Sequence, residues 1–358
     1  MNLEQISKAL GALMKLIYET VGFHNYGLAI ILFTVFIKLV LLPLSIKQTK
    51  SSVLMQKLTP QMSDIDRRFK NDKNKAAEEK MKLMKEHKAS PMGGCLPMLL
   101  QFPILIALYW VISSPLKYMY GKSAEMLAVL KKFIMEVKGF VPGTVQGDIS
   151  IVNFFNQLDP SSVDATIQEA NRYVVDSGVL QAGQTAISSG ELINTKFLFG
   201  LIDLGRTPTI NTGTLLGPDW KIYVPLLLIP ILAGLTAWLA GKYSTGKLKK
   251  KEKENDPKKP AAGDGGSMQQ MSKSMILMMP LMSVFISFTV PAGLGFYWTI
   301  SNVAAVVQQI LVARIVEKEA EANAGLPVIQ SKTIDPVDAG KGGKNDGRMG
   351  GKNRQNGG

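Results

Sequence analysis

A single lysine, Lys38, stands in the middle of the apolar run ILFTVFIKLVLLPL. It precedes Ile46 by eight residues, about 12 Å at about 1.5 Å per helical residue. A lysine stem reaches roughly half that distance, so its ammonium does not easily snorkel to water. A cation at mid-span costs about 2.5–3.5 kcal/mol on insertion scales. Water or polar partners must offset that cost. Thr34, one turn earlier on the same face, is the first candidate. Gln101 in a second apolar run and Ser301, Asn302, Gln308 and Gln309 in the last one are further polar groups. Together they predict a wet groove between helices, suited to attracting acidic or polar segments.

No catalytic constellation accompanies this lysine, and no enzyme is expected. Asp and Glu are absent from every apolar run, which leaves a carboxylate proton relay little to work with. Neither HExxH nor GxSxG occurs, and His24 and His87 lack ligand spacing, so no metal or cofactor is expected. The single Cys95 excludes an intramolecular disulfide. Gly241–Lys247 (GKYSTGK) has the glycine and lysine spacing of a phosphate loop. Leu248 stands where the Mg²⁺-binding hydroxyl belongs, and an apolar run precedes it instead of a strand.

The elements that must position Lys38 are membrane spans. Mean hydropathy is positive although the chain carries 41 Lys and Arg and 28 Asp and Glu, so the apolar residues are blocked together. A span needs about 20 apolar residues. Five segments meet or approach that length: 27–46, 96–116, 220–243, 274–290 and 295–314, the last two joined by a turn at Pro291–Leu294. Lys47–Cys95 holds 12 Lys and Arg, Ser244–Lys273 and Arg314–Gly358 eight each, and the first 26 residues only two. The positive-inside bias therefore predicts an outside N-terminus and a cytoplasmic C-terminus. The expectation is an all-α polytopic membrane protein of five transmembrane helices around a hydrophilic groove.

Between the spans the organisation is as follows. Residues 1–26 read as an amphipathic interfacial helix on Leu3, Ile6, Leu10, Leu13 and Ile17, and no cleavable signal peptide is expected there. Residues 47–95 predict a basic cytoplasmic helical hairpin starting at Thr59-Pro60, with a seam of Leu58, Met62, Ile65 and Phe69 against Ala77, Met81 and Met84. Arg67 and Arg68 belong to its basic surface. Residues 117–219 form an extracytoplasmic insert with one amphipathic helix on Leu127, Leu130, Ile134 and Val137; Phe197–Leu204 (FLFGLIDL), too short to span, is expected at the interface. Residues 244–273 read as a flexible loop, 274–294 as the fourth span and its turn, and 315–358 as a basic disordered tail carrying Lys341, Lys344, Arg348, Lys352 and Arg354. Ala233, Ala237 and Gly241 predict a close helix approach, and Met268, Met271, Met275, Met278, Met279 and Met282 an adaptable apolar surface.

Two runs carry a family resemblance. Pro91-Met92-Gly93-Gly94-Cys95-Leu96-Pro97, then Leu99-Leu100-Gln101-Phe102-Pro103-Ile104 and Ala107-Leu108-Tyr109, resembles the NPLGGC-x-P-x-LLQ-x-PIF-x-ALY pattern of the YidC family of membrane protein insertases. Pro291–Leu294, Phe296-Tyr297-Trp298, Ser301-Asn302 and Gln308-Gln309 resemble its PSGL…YY…SN…QQ pattern. The resemblance covers Gly27–Met119 and Phe197–Glu317. It implies a five-helix core with a hydrophilic groove open to cytoplasm and lipid but closed outside, in a bacterial cell membrane. Lys38 takes the place of the family's groove cation, usually arginine; lysine keeps the charge but lacks the planar fork. Thr34, Gln101, Tyr297 and Trp298 fall on positions used for groove lining or client contact, with Trp298 replacing the commoner tyrosine. The implied function is insertion and folding of client transmembrane segments without nucleotide hydrolysis; the alternative is a channel or transporter using the same groove. Implied partners are nascent membrane-protein clients, the ribosome, a Sec-type translocon and anionic lipids.

Overall fold

A computed structural model describes residues 2–87, 96–141, 147–254, 278 and 280–322. Asn2 opens α1 (Leu3–Glu19), its N–H donating to the Gln5 side chain at 3.1 Å. The buried face of α1 is Ser7, Gly11, Met14 and Tyr18, with Ile17 at its edge. The expected stripe lies mostly beside this face, because the helix is pressed onto protein. A Cβ on Gly11 would strike the Tyr118 carbonyl, so only glycine permits the contact. The helix packs against α2 (Tyr26–Val40), α5 (Leu96–Ser113) and α6 (Pro115–Tyr118).

The first expected span is broken. Asn25 caps α2 by accepting from Leu28 N–H at 3.0 Å, and the helix stops at Leu41. The next helix, α3 (Leu42–Arg68), leaves at 57° with Pro43 in its first turn. Proline lacks an N–H and clashes with the carbonyl four residues back, which ends α2 here. The expected helix start at Thr59-Pro60 does not occur. There α3 runs on through Pro60, and the Thr59 hydroxyl donates to the Met55 carbonyl at 3.1 Å. Asp72 caps α4 (Lys73–Glu86) at Lys75 N–H. Leu58 and Met62 are buried against Leu54, Met55, Leu83 and Met84. On α4 the inward residue is Ala76; Ala77 and Met81 are exposed. An ion pair of Lys80 with Asp66 at 2.5 Å joins the two helices and fits this rotation.

The insert is a folded cap. It contains α7 (Ala124–Lys132), continued by a π-helical turn (Phe133–Val137), then α8 (Ile149–Phe155) and α9 (Pro160–Asp176). Two residues each of β1 (Lys196–Phe197) and β2 (Ile202–Asp203) pair antiparallel, Lys196 with Asp203 and Phe197 with Ile202. A short α10 (Thr212–Leu215) follows. Leu130, Phe133, Ile134, Ile149, Ile151, Val152 and Phe155 are buried with Ile187 and Ile193. Polar side chains stitch distant backbone: Asn171 accepts from Ala186 and Ile187 N–H at 2.8 and 2.9 Å, and Asn156 donates to the Ile193 carbonyl at 3.0 Å.

After the cap come α11 (Trp220–Leu226), α12 (Leu228–Glu254), α13 (280–287) and α14 (Ala292–Ala322). The segment expected to be a flexible loop, 244–273, is still helical to Glu254, in a run of Lys and Glu that favours helix. Among the described residues one helix, Trp220–Tyr243, is long and apolar enough to cross a membrane unbroken; the bent pair Tyr26–Val40 and Leu42–Gln48 makes a second. Phe102–Ser113 is a shorter apolar helix. The fold is predominantly helical. The first residues of the expected disordered tail, 315–322, are still helical in α14; the rest of the tail, residues 88–95 with the proline–glycine motif, and Met268, Met271, Met275 and Met279 lie outside the described residues.

Candidate functional site

Lys38 sits in the last turn of α2, three residues before the break at Leu41. Carbonyl groups at a helix C-terminus carry partial negative charge, which favours a cation there. The break was not anticipated, and it supplies part of the compensation that the lysine needs. Lys38 is half-buried, and no ion pair among the described residues includes it. Thr34 is buried one turn earlier, its hydroxyl donating to the Ile30 carbonyl at 2.6 Å. It thus turns toward its own helix, not toward the ammonium.

On α14, Tyr297 is buried while Trp298, Ser301 and Asn302 are half-buried. Asn302 donates from Nδ2 to Thr236 Oγ1 of α12 at 3.3 Å. Gln308 has a buried Nε2 without a partner among the described residues. Gln101 lies on α5, with its side chain outside the described residues.

Two contacts set the starts of α2 and α14 side by side. A Cβ on Gly293 would lie 3.5 Å from Ile30, and Lys38 and Ser301 each follow that contact by eight residues. The Phe197 ring packs on Gly27 and on Phe296, and Lys38 and Gln308 follow those residues by eleven and twelve. Both contacts lie in the first turns of α2 and α14, so the two helices begin beside one another, while Lys38 stands at the far end of α2.

The N-terminal end of α14 is tightly closed. Ala292 and Gly293 N–H groups donate to the Arg206 and Leu204 carbonyls, both at 2.7 Å, so the insert caps the helix. A Cβ on Gly293 or Gly295 would crowd Ile112 at 3.3 Å or Ile229 at 2.7 Å. Asp203 fixes the capping turn: it accepts from Thr195 Oγ1 (2.6 Å), Gly205 N–H (3.1 Å) and Arg206 Nε (3.2 Å), all nearly out of water. Asn153 Nδ2 donates to the Gly205 carbonyl at 2.8 Å. Neither Asp203 nor Arg206 stood out in the sequence, since a local Asp-x-x-Arg spacing on a loop carries no periodic signal.

Arg67 and Arg68 are exposed at the end of α3, Arg67 beside Asp64 at 3.8 Å. Met278 and Met282 are exposed. Two recesses are lined by Asn25, Asn194 and Lys196–Gly200 and by Glu4, Lys8 and Lys117–Ala124; neither includes Lys38.

Against known proteins, residues 16–319 match the family described as 60Kd inner membrane protein. The chain belongs to this family. Its matched span contains every described site residue, from Lys38 to Asn302. Relatives named membrane protein insertase YidC occur in Clostridium tetani (47% identity over 91 residues, 25% of this chain and 41% of that protein) and Fusobacterium nucleatum (48% over 90 residues, 25% and 44%). A third, from Legionella pneumophila, is 46% identical over 107 residues, 30% of this chain and 19% of that protein. The chain thus aligns with less than half the length of these curated relatives.

Proposed function

We propose that the protein is a membrane protein insertase and folding chaperone of a bacterial membrane, acting without nucleotide hydrolysis or other catalysis. Five spans, an outside N-terminus and a cytoplasmic C-terminus complete the reading, with α3 and α4 standing in the cytoplasm. The observation that carries it is the half-buried Lys38 at the C-terminal end of α2, the end opposite to the closely packed starts of α2 and α14. Such an arrangement makes a groove that admits a polar segment from one side of the membrane and does not run through as a pore.

Lys38 attracts an acidic or polar outer segment of the client into the groove, where the effective dielectric is low and a single charge acts strongly. Thr34, Gln101, Ser301 and Asn302 provide the polar wall, and Tyr297 and Trp298 flank it. The groove shortens the hydrocarbon path that the segment must cross. The client's apolar helix meanwhile passes into lipid, and burying each large apolar side chain supplies about 1.5–3 kcal/mol. Met278 and Met282 offer it an adaptable surface on the way. Nascent clients, the ribosome, a Sec-type translocon and anionic lipids are the partners of this reading. Arg67, Arg68 and the tail cations meet ribosomal phosphate, an attraction that weakens with salt.

The test is insertion of a single-span client with an acidic outer segment into liposomes holding this protein, scored by protease protection. Lys38→Ala should lose most insertion, and Lys38→Arg should keep it. Equal insertion by all three would remove Lys38 from the mechanism; no insertion by the unaltered, folded protein would remove the insertase reading.

A further inference from the structure

Among the described residues, the non-glycine positions with positive φ are confined to two loops. Phe23 and His24 (φ +49° and +56°) lie between α1 and α2, and Leu198 and Phe199 (φ +49° and +57°) lie at the tip between β1 and β2. Side chains rarely adopt this conformation, and glycine or asparagine would make either turn without strain. Strain retained at an observed outlier points to a use for the side chain. These side chains are not covered by protein: Phe23 is 80% exposed, Phe199 fully exposed, and Val21, Leu198 and Leu201 about half.

The two loops are neighbours held on a rigid base. Asn194 accepts from Tyr26 N–H at 3.3 Å through its carbonyl and takes the Tyr18 hydroxyl as acceptor for its own N–H at 2.9 Å. Asn25, Asn194, Lys196 and Phe197–Gly200 line a recess of about 550 Å³ beside them. Below the tip, Ile202, Asp203 and Leu204 are buried. The Phe197 ring rests on Gly27 in the first turn of α2 and on Phe296 in the second turn of α14, where those helices begin. The prongs therefore lie at the N-terminal ends of two core helices. Lys196 and the two asparagines form a polar shoulder next to apolar tips, the sequence of chemistry met on passing from phosphate to acyl chain.

We propose that Phe23 and the Leu198–Leu201 tip form a two-pronged anchor seated at the headgroup–acyl boundary of the outer leaflet, with Lys196 beside lipid phosphate. It fixes the cap, and through the Leu204 and Arg206 carbonyls the start of α14, at a set depth. The inference rests on the chain being embedded in a membrane, not on insertase activity.

The experiment uses the full chain in phosphatidylcholine–phosphatidylglycerol liposomes. A nitroxide is placed at Phe23→Cys, Phe199→Cys or, as a control on the exposed face of α9, Gln168→Cys, each in a Cys95→Ser background. Oxygen collisions should exceed those of a water-soluble nickel chelate several-fold at 23 and 199, with the reverse at 168. Free access of nickel to 199 overturns the proposal. So does exclusion of both reagents, which would mean a protein contact. Because Cys95→Ser is a change of its own, p-benzoylphenylalanine at 199 in the chain retaining Cys95 gives a second reading. Crosslinks to phospholipid support the anchor, and crosslinks to protein alone overturn it.

Discussion

Asp148 gives the sharpest quantitative prediction. It is buried, and its two carboxylate oxygens each accept a backbone N–H, from Leu116 and from Lys117, both at 3.0 Å. These N–H groups open α6 and have no partner within that helix. Asp148 is thus a tertiary cap that ties the insert to the end of α5. Burial pushes its carboxyl up to about 7, against the pull of the two N–H bonds and, less strongly, of Lys131 and Lys117. An unfolded aspartate titrates near 3.9. Between those values the folded chain binds a proton that the unfolded chain has released, so stability falls as pH rises through that window. The contribution is complete below the unfolded value and lost by about pH 8; three pH units at 1.36 kcal/mol each give about 4 kcal/mol as an upper bound. Asp148→Asn cannot titrate. Pulse proteolysis in urea on the detergent-solubilised chain, with cleavage mapped within residues 149–205, reads the stability of the cap. From pH 4.5 to pH 8, which covers about 2.5 units of that window, the parent should lose up to about 3 kcal/mol relative to the variant. Parallel profiles for the two proteins would refute the argument that this carboxyl is protonated in the folded cap at mildly acidic pH.

Two further outcomes follow from the packing. Gly27→Val places a Cβ inside the Phe197 ring and should release the hairpin from α2, raising proteolysis at residues 197–204; adding Phe197→Ala should restore protection, and failure of that rescue would mean that the contact is not the cause. Thr236→Val removes the acceptor for Asn302. A net hydrogen bond is worth about 1 kcal/mol, so client insertion should slow by up to about fivefold while the melting temperature of the cap stays unchanged.

The parts legible from sequence were those with a period. Thr34 and Lys38 share a face of α2 because they are four residues apart, and the α3–α4 hairpin announced itself through repeating apolar residues. What failed were choices between two local rules. Thr59-Pro60 fits a helix start, yet α3 passes through it, with the Thr59 hydroxyl donating to the Met55 carbonyl of its own helix instead of capping a new one. The stripe on α1 mispointed its buried face because Gly11 and Ser7, both small, bring that face against backbone. The cap was illegible for a deeper reason. Asp148, Asn153, Asn156 and Asn171 act on backbone groups between 15 and 52 residues away, and no local window contains both partners.

The same contrast explains how the site is built along α14. Its first turns need glycine, because the Leu204 carbonyl, Ile112, Ile30 and Ile229 leave no room for more. Insert carbonyls take its leading N–H groups, and Tyr297 ends the fully buried stretch. Beyond that point Ser301 and Asn302 are polar and half-buried, and further on Gln308 Nε2 has no hydrogen-bond partner among the described residues. Its neighbour α2 follows the same course, from an Asn25 cap and a crowded Gly27 to Lys38 at a helix end. Rigid packing at one end contrasts with the other, where Lys38 has no ion pair and Gln308 Nε2 no hydrogen-bond partner among the described residues. On the proposed groove reading, loosening the cap at Gly27 or Asp148 should be felt at Lys38 through the packing that the starts of α2 and α14 share.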